Sequence, residues 1–350
     1  MEEKKPTEKI VRLAHGAGGV LQEELVQFLT EGIARKCVND GVGVKELDDG
    51  ATIPLEDYDK EIVVTADGHT VFPLLFPGGD LGKLSVCGTV NDLLMMGAKP
   101  LALTSIVIIE EGFSFEKLKL LMDSFNESAR QADVAIIAGD SKVMPRGTLN
   151  DIIIGTTGIG IKSKQVKIED NNLKVGDKII ITGSIGDHGT ALMASREGLN
   201  IETDLTSDVN LLIEINEALE SFILKNEIHA MKDPTRGGIA AALNDWANKS
   251  NVSVLIEEEK VPIKKQVKAI CDMLGLDPYN IACEGRALLS VNPARADDIL
   301  EVIKNTAIGK GAEIIGTVQA ENPKKVFMKT LVGGTRFVDM PLGEPIPRIC

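Results

Sequence analysis

The sequence predicts a mixed α/β fold of two successive domains followed by a short tail. Apolar runs rich in β-branched residues alternate with helical segments, which is the pattern of α/β architecture. The polar stretch KSKQVKIEDNNLK at 162–174 interrupts this pattern once, after which it begins again. The segment 337–350 contains three prolines, which fit neither a helix interior nor a central strand. We therefore expect domains at 1–165 and 166–336 and an extended, mobile tail at 337–350.

The first domain contains four apolar runs that we expect to be buried strands, because Ile and Val dominate them. These runs lie at 61–66, 101–109, 134–138 and 151–157. The segment 115–132 places its apolar residues on one face of a helix, and Ser114 precedes it as a candidate N-cap. A second helix is expected at 82–96, since Gly97 and Pro100 follow it.

The second domain repeats the alternation of strands and helices. Strands are expected at 177–182, 252–256, 287–291 and 313–318, and helices at 190–198, 208–224 and 238–249. The glycine-rich segment GSIGDHG at 183–189 follows a strand and precedes a helix. That geometry can bind an anion at the helix N-terminus, although a purely structural turn has the same spacing.

Composition excludes several classes of function. The chain has 350 residues, 43% of them hydrophobic, and a formal net charge of −14. Such a charge disfavours a nucleic-acid binder and a polybasic membrane anchor. No apolar run approaches the length of a membrane span, and no secretory signal is visible, so we expect a cytoplasmic protein. The five scattered cysteines form no C-x-x-C pair, which argues against disulfides and structural zinc.

Acidic residues stand beside predicted strand ends or glycines in five segments. They are Asp48–Asp49, Asp67, Asp92, Asp140 and Asp233. Carboxylates that converge in one cleft suit Mg²⁺, which bridges carboxylates to substrate phosphates. Each aspartate could instead be a turn or cap residue, but three of the five segments adjoin a glycine within two residues.

Three further features could carry chemistry. No P-loop motif is present, but HGAGG at 15–19, which includes Gly16 and Gly18, could close over phosphates or be a plain linker. Glu284 and Lys142 are candidate acid–base groups if buried, and surface charges otherwise. Cys350 is the last residue of a proline-containing tail, so it is either a mobile reactive thiol or an incidental one.

Several of these segments together resemble one family. They are HGAGG, DGHTVFPLLFPGGDLGKLSVCGTVNDLLMMGAKPLAL, AGDSKVMPRG, GDHGTALMASREGL, KDPTRGGIAAALN, ACEGR and the terminal PRIC. They are similar to the HypE carbamoyl dehydratases of hydrogenase maturation. That family belongs to the superfamily of aminoimidazole ribonucleotide synthetase, selenophosphate synthetase and thiamine-monophosphate kinase. The resemblance runs from about residue 10 to residue 350, and the long central run and PRIC are its most specific parts.

The resemblance implies a PurM-like fold in which the N-terminal sheets of a homodimer pair into a barrel. ATP and Mg²⁺ would bind in the cleft between the two domains. The residues implied to bind the cofactor are Asp49, Asp67, Gly68, Asn91, Asp92, Asp140, Gly16 and Gly18. Those implied to bind the metal are Asp49, Asp67, Asp92 and Asp233.

The resemblance also implies a reaction. Cys350 would receive a carbamoyl group from a HypF-like carbamoyltransferase, and Glu284 and Lys142 would line the reaction site. ATP-dependent dehydration would convert the thiocarbamate to a thiocyanate. The cyanide would then pass to an iron centre on a HypC–HypD complex, for a [NiFe] hydrogenase.

Two other functions are consistent with parts of this sequence. A selenophosphate synthetase has a reactive Cys and a Lys after its N-terminal loop, whereas Val20, Leu21 and Gln22 follow Gly19 here. That difference counts strongly against it. A non-catalytic thiol carrier would use Cys350 alone, and it would show no Mg²⁺-dependent binding of ATP.

Overall fold

The fold was examined in a computed structural model that describes residues 19–31, 37–43, 45–55, 58–196 and 201–342. Three of the predicted site residues, Gly16, Gly18 and Cys350, lie outside these ranges. The described residues form two sheets with helices packed on them. The prediction of a two-domain α/β fold is confirmed.

The helices vary in length and amphipathicity. They are α1 (Val20–Glu31), α2 (Leu81–Met95), α3 (Phe115–Gln131), α4 (Asp187–Ala194), α5 (Ile213–Leu224), α6 (Gly238–Lys249), α7 (Lys265–Leu274) and α8 (Ala296–Lys304). The predicted N-cap of α3 is confirmed, because Ser114 Oγ accepts hydrogen bonds from the amides of Glu116 and Lys117. Capping satisfies amides that have no partner within the helix.

The first sheet is five-stranded and mostly antiparallel. Its strands are β1 (Ala51–Pro54), β2 (Lys60–His69), β5 (Lys99–Glu110), β6 (Ala135–Met144) and β7 (Ile152–Ser163). Their order is β1-β2-β7-β5-β6, and only β5 and β6 pair in parallel. A two-stranded ribbon of β3 (Leu75–Phe76) and β4 (Gly79–Asp80) precedes α2.

The second sheet is seven-stranded. Its strands are β8 (Lys178–Ile181), β9 (Ile228–Lys232), β10 (Ser253–Glu257), β11 (Leu288–Val291), β12 (Glu313–Gln319), β13 (Lys325–Lys329) and β14 (Thr335–Phe337). Their order is β14-β13-β10-β12-β8-β11-β9. Strand β9 therefore lies at one edge of this sheet, and the residues that follow it are free to face the first domain.

Helix α2 is buried on nearly all sides between the first sheet, α3 and the second domain. A helix in such a position is apolar all round, and any polar side chain on it must find a partner. Ser85, Thr89 and Asn91 are fully buried on α2 and are hydrogen-bonded. This helix is the element through which the two domains meet.

Three predicted helix boundaries in the second domain are wrong, and one of them is the end of α4, which lies at Ala194 rather than at residue 198. Helix α5 begins at Ile213 rather than at residue 208. The backbone before it is held in a non-helical conformation by the side chain of Asn91, which donates to the carbonyl of Asn210 at 2.9 Å and accepts from the amide of Leu212 at 2.9 Å. Helix α4 begins at Asp187 rather than at residue 190, after Gly186 turns the chain with φ of +74°.

Strands β2, β5, β6 and β7 all extend beyond the predicted runs, and the extensions of β2 and β6 change the setting of candidate site residues. Strand β2 runs on to His69, so Asp67 lies inside a strand and not after its end. Strand β6 runs on to Met144 and contains Asp140 and Lys142. It is an edge strand, and almost all of its residues are exposed.

The polar stretch at 162–174 is more buried than its composition indicates. Val166 and Ile168 pack into the main core, and Asp170 is buried among charged partners. The stretch therefore contacts both domains along its length. No helix among the described residues is long and apolar enough to cross a bilayer.

Candidate active site

A cleft between the two domains gathers acidic side chains from distant parts of the chain. The cleft is open to solvent, and its cavity volume is about 90 Å³. Its lining consists of Asp67, Gly68, His69, Thr70, Leu84, Gly88, Asp92, Asp233, Thr235, Arg236 and Glu284. The first seven come from the N-terminal domain and the last four from the C-terminal domain. The cleft therefore exists only when the two domains are packed together.

Asp67 and Asp92 are oriented by a reciprocal pair of threonines. Thr89 on α2 donates to Asp67 on β2 at 3.1 Å, and Thr65 on β2 donates to Asp92 on α2 at 2.7 Å. Residues two apart share a strand face, and residues three apart share a helix face. One face of β2 therefore contacts one face of α2, with Asp67 bonded to Thr89 and Thr65 bonded to Asp92. These bonds orient both carboxylates toward the cleft.

Asp233 and Glu284 enter the cleft from loops of the second domain. Asp233 directly follows β9 and is buried. Glu284 precedes β11 and is also buried, so the alternative that it is a surface charge is wrong. Its backbone amide donates to Asp208 at 3.1 Å, and its carbonyl accepts a longer bond of 3.5 Å from Asn91. These bonds hold the loop of Glu284 against α2.

Crowding of acids in a buried cleft raises their pKa values. Burial is the largest cause of the raised pKa of Asp92, and repulsion from Asp67 and Asp233 adds to it. Burial likewise raises the pKa of Asp233, with repulsion from Asp49 and Asp67. The pKa of Glu284 is raised well above its usual value by burial and then by Asp233 and Asp208. The site thus favours a bound cation, which would offset the repulsion between ionised forms.

Asp49 reaches this group through a buried network of charges. Lys232 donates to Asp49 at 2.7 Å and to Asp170 at 2.9 Å. Asp170 also accepts bonds of 2.7 Å from Lys249 and from the indole of Trp246. Burial alone would lower the pKa of Lys232, but Asp170 and Asp49 hold it well above its usual value. The network joins the loop of Asp49 to the second domain through two shared lysines.

The chemistry of these donors fits a magnesium–nucleotide complex better than a free metal ion. Within the described ranges, no three His, Cys, Asp or Glu side chains are grouped closely enough to hold a metal ion by themselves. Mg²⁺ commonly binds through one or two carboxylates, and water and substrate phosphates complete its shell. One or two of Asp67, Asp92 and Asp233 would hold such an ion on the protein side, and water and phosphate oxygens would fill its other positions. Asp49 is held by Lys232 and lies just behind these aspartates.

The other predicted site residues are placed differently. Gly68 lines the cleft, and a Cβ there would meet nothing within 4 Å. Asn91 uses its amide for the contacts with residues 210 and 212 that join the domains. Asp140 and Lys142 do not line the cleft. Across the first sheet, Asp140 on β6 pairs with Ile106 on β5, Ile106 pairs with Gly155 on β7, and Gly155 pairs with Gly68 on β2. Asp140 therefore lies three strand spacings, or about 14 Å, from β2.

Six cleft residues were not predicted as site residues, and they are His69, Thr70, Leu84, Gly88, Thr235 and Arg236. His69 is half-buried, and desolvation of its imidazole lowers its pKa. Thr235 and Arg236 lie at the mouth of the cleft, and Arg236 is exposed. The signal was present in the sequence for four of the six, because TADGHT and KDPTRGG contain them next to Asp67 and Asp233. A guanidinium beside acidic groups would suit the oxygens of a phosphate.

The chain matches two family models across most of its length. Residues 47–162 match the N-terminal domain of AIR synthase related proteins, and residues 174–329 match their C-terminal domain. The carbamoyl dehydratase HypE of Rhizobium leguminosarum is 42% identical over 343 residues, which are 97% of this chain and 95% of that protein. These matches place the cleft between two domains of known type.

Solved structures agree with the sequence matches. The HypE–HypF complex contains a chain with 41% identity and a TM-score of 0.83, over 92% of this chain and all of the other. A HypE solved in complex with ATP has 35% identity and a TM-score of 0.78, over 97% of this chain and 99% of the other. The chain belongs to the HypE family of carbamoyl dehydratases, which act in hydrogenase maturation, and it has their two-domain PurM-like fold.

Proposed function

We propose that this chain uses Mg-ATP to dehydrate a carbamoyl group carried as a thiocarbamate on Cys350. The product is a thiocyanate, which supplies the cyanide ligand of a [NiFe] hydrogenase iron centre. The observation that carries the proposal is the cleft in which Asp67, Asp92, Asp233 and Glu284 converge from both domains. Membership of the family and the related HypE solved with ATP support it.

The reaction removes an oxygen that is a poor leaving group. A phosphoryl group transferred from ATP to the carbamoyl oxygen turns that oxygen into part of a phosphate, which leaves when the C–O bond breaks. The amide nitrogen loses both protons, and the carbon–nitrogen bond becomes a nitrile. The products are thiocyanate, ADP, inorganic phosphate and released protons, and no atom is oxidised or reduced.

Glu284 is the proposed base for the nitrogen protons. It is buried, lines the cleft and has a raised pKa, so its ionised form is a stronger base than an exposed carboxylate. Mg²⁺ bound near Asp67, Asp92 and Asp233 would offset the charge of the transferred phosphoryl group. Arg236 at the mouth of the cleft would add a second positive charge.

A homodimer is part of the proposal, and β6 supports it. Apolar side chains on this edge strand are exposed, including Ile137 at 59% and Val143 at 68%. Open edge strands with apolar side chains tend to pair with another strand. Pairing with a second copy would bury these residues and carry Lys142 toward a cleft that its own strand does not reach. Lys142 and Asp140 therefore remain proposed site residues in the dimer.

Two partner interactions are also proposed. The related HypE solved with HypF supports a HypF-like carbamoyltransferase as the donor of the carbamoyl group. A HypC–HypD complex is proposed as the acceptor of the cyanide. Both proposals require Cys350 to reach a partner as well as the cleft.

The test follows the mass of the C-terminal peptide. The purified chain is incubated with a HypF-like carbamoyltransferase, carbamoyl phosphate and Mg-ATP, and the peptide that contains Cys350 is weighed. We expect a carbamoyl adduct that loses one water only when ATP is hydrolysed in this chain's cleft. Cys350→Ala is the matched control, and it should bind Mg-ATP without forming the adduct. An unmodified Cys350, with a known HypE modified in parallel, would overturn the proposal.

A further inference from the structure

The root of the C-terminal tail is held at a defined place on the second domain. Val338 is buried, and its amide donates a hydrogen bond of 3.0 Å to the carbonyl of Val326. Its own carbonyl accepts a hydrogen bond of 2.8 Å from the side-chain amide of Asn244. Three residues later, the carbonyl of Pro341 accepts a hydrogen bond of 3.0 Å from the amide of Val20. Two successive points of the tail are thus fixed, one by α6 and the other by the first residue of α1.

Two glycines make the close approach of Pro341 possible. A Cβ on Gly19 would lie 1.7 Å from the carbonyl oxygen of Pro341, and Gly19 has φ of +74°. A Cβ on Gly237, which has φ of +80°, would lie 3.3 Å from the ring of Pro341. Both the space and the left-handed backbone therefore favour glycine. We call Gly19, Val20, Gly237 and Asn244 the tail socket.

The tail socket adjoins the mouth of the candidate active site. Gly237 directly follows Thr235 and Arg236, which line the cleft. The same backbone thus presents a cation to the cleft on one side and seats Pro341 on the other. Gly19 and Val20 join this point to the start of α1. The start of α1, the segment before α6 and the tail at Pro341 thus meet at one place although they are far apart in sequence.

We propose that the tail socket positions Cys350 by fixing the origin of its arm beside Arg236. This inference rests on the proposed function of Cys350. Cys350 is the ninth residue after Pro341, and an extended arm of nine residues spans about 30 Å. The arm thus starts at the cleft mouth and is long enough to enter the cleft or to extend outward to a partner.

Releasing Pro341 alone would move the origin of the arm back to Val338. The arm would lengthen from nine residues to twelve. The effective concentration of a tethered group falls roughly as the −3/2 power of tether length, which is a loss of about 1.5-fold. The arm would also lose its fixed starting direction toward the cleft, so we expect the measured loss to exceed that value.

The contact itself is tested with two truncated chains, one that ends at Leu342 and one that ends at Met340. Amide hydrogen exchange is measured in peptides that contain Val20. The chain ending at Leu342 keeps Pro341 and should protect this amide like the full chain. The chain ending at Met340 should exchange at least about 10-fold faster there, because the acceptor is gone. Equal exchange in the two truncated chains would overturn the socket.

Its role in positioning is tested in the full chain with Val20→Pro. Proline is tolerated at the first position of a helix but has no N–H, and its ring would push against Pro341. Leu21→Pro changes the next position of the same turn and is the matched control. For Val20→Pro we expect the ATP-dependent turnover of the Cys350 adduct to fall at saturating ATP by more than 1.5-fold. The KM for ATP should stay constant.

The outcomes separate the socket from the proposed function. Faster exchange with unchanged turnover would show a contact without a positioning role and would overturn the inference. A rise in the KM for ATP that accounts for the loss would also overturn it. If Cys350 carries no adduct in the unaltered chain, the proposed function fails, and the positioning role fails with it. The exchange experiment would then still decide whether the socket holds the tail.

Discussion

The ammonium group of Lys232 donates a hydrogen bond of 2.7 Å to Asp49, and this contact joins the two domains behind the candidate active site. Lys232 also donates to Asp170 at 2.9 Å, so one cation serves the half-buried carboxylate of Asp49 and the buried carboxylate of Asp170. Asp170 keeps a lowered pKa despite its burial, because Lys232 and Lys249 both bind it. The position of Asp49 thus depends on residues outside the cleft.

Removing Lys232 should strongly destabilise the chain. Lys232→Met removes the ammonium group that binds both Asp49 and Asp170. Loss of one partner of a buried ion pair typically lowers the free energy of unfolding by about 3–5 kcal/mol. The free energy of unfolding by urea at neutral pH measures this effect. Lys260→Met is the matched control, because Lys260 pairs with Glu257 at 2.6 Å on the surface. A surface pair contributes about 0–1 kcal/mol, so equal losses for the two variants would contradict the account.

Asp208 should make stability depend on pH. Burial raises its pKa to about 6, Arg286 opposes this, and Asp187 adds to it. An unfolded aspartate has a pKa of about 3.9, so protonation favours the folded state. This stabilisation is fully present below about pH 4 and is lost as pH rises to about 6. Since one pKa unit corresponds to 1.36 kcal/mol, the free energy of unfolding falls by about 3 kcal/mol.

The variant Asp208→Asn should not undergo that loss. Its free energy of unfolding, relative to the unaltered chain, should therefore rise by about 3 kcal/mol between pH 4 and pH 7. Urea unfolding at several pH values measures the difference. Asp123→Asn, on the exposed side of α3, is the control. Parallel pH profiles for Asp208→Asn and the unaltered chain would contradict the raised pKa.

Glu284→Gln should separate ATP binding from dehydration. The amide keeps the size of the side chain but cannot accept a proton, and general-base groups typically contribute 10²–10⁴-fold in rate. We expect the loss of water from the Cys350 adduct to slow by about that factor, while calorimetric binding of Mg-ATP is retained. Glu259→Gln, at an exposed position, is the control. Equal rates for the two variants would remove Glu284 from the reaction.

Gly82→Ala should lower stability although alanine favours helices. A Cβ at this position of α2 would lie 1.9 Å from the carbonyl oxygen of Leu121 on α3. Overpacking of this kind costs about 1–3 kcal/mol, against a gain of about 1 kcal/mol in helix propensity. Thermal unfolding measures the result. Gly68→Ala, where a Cβ meets nothing within 4 Å, is the control for stability, and a stabilised Gly82→Ala would contradict the packing account.

Local patterns in the sequence were sufficient for eight of the fourteen strands and five of the eight α-helices that the structure describes. The runs at 101–109 and 151–157 are predominantly apolar, so they predict β5 and β7 without any knowledge of their partners. Helix α3 and its cap at Ser114 are equally local, since the hydrogen bonds span two or three residues. The start of α5 was not predictable in this way, because Asn91 holds the preceding backbone from another domain.

The two α/β domains, the group of acidic segments and the family resemblance follow from local composition, periodicity and motif. Tertiary packing was needed to show that Asp67, Asp92, Asp233 and Glu284 share one cleft, that Lys142 lies on an outer edge strand and that Pro341 is seated on Gly19. The physical reason is that contacts between residues far apart in the chain depend on strand order and domain packing. Neither is encoded in the pattern of any single segment.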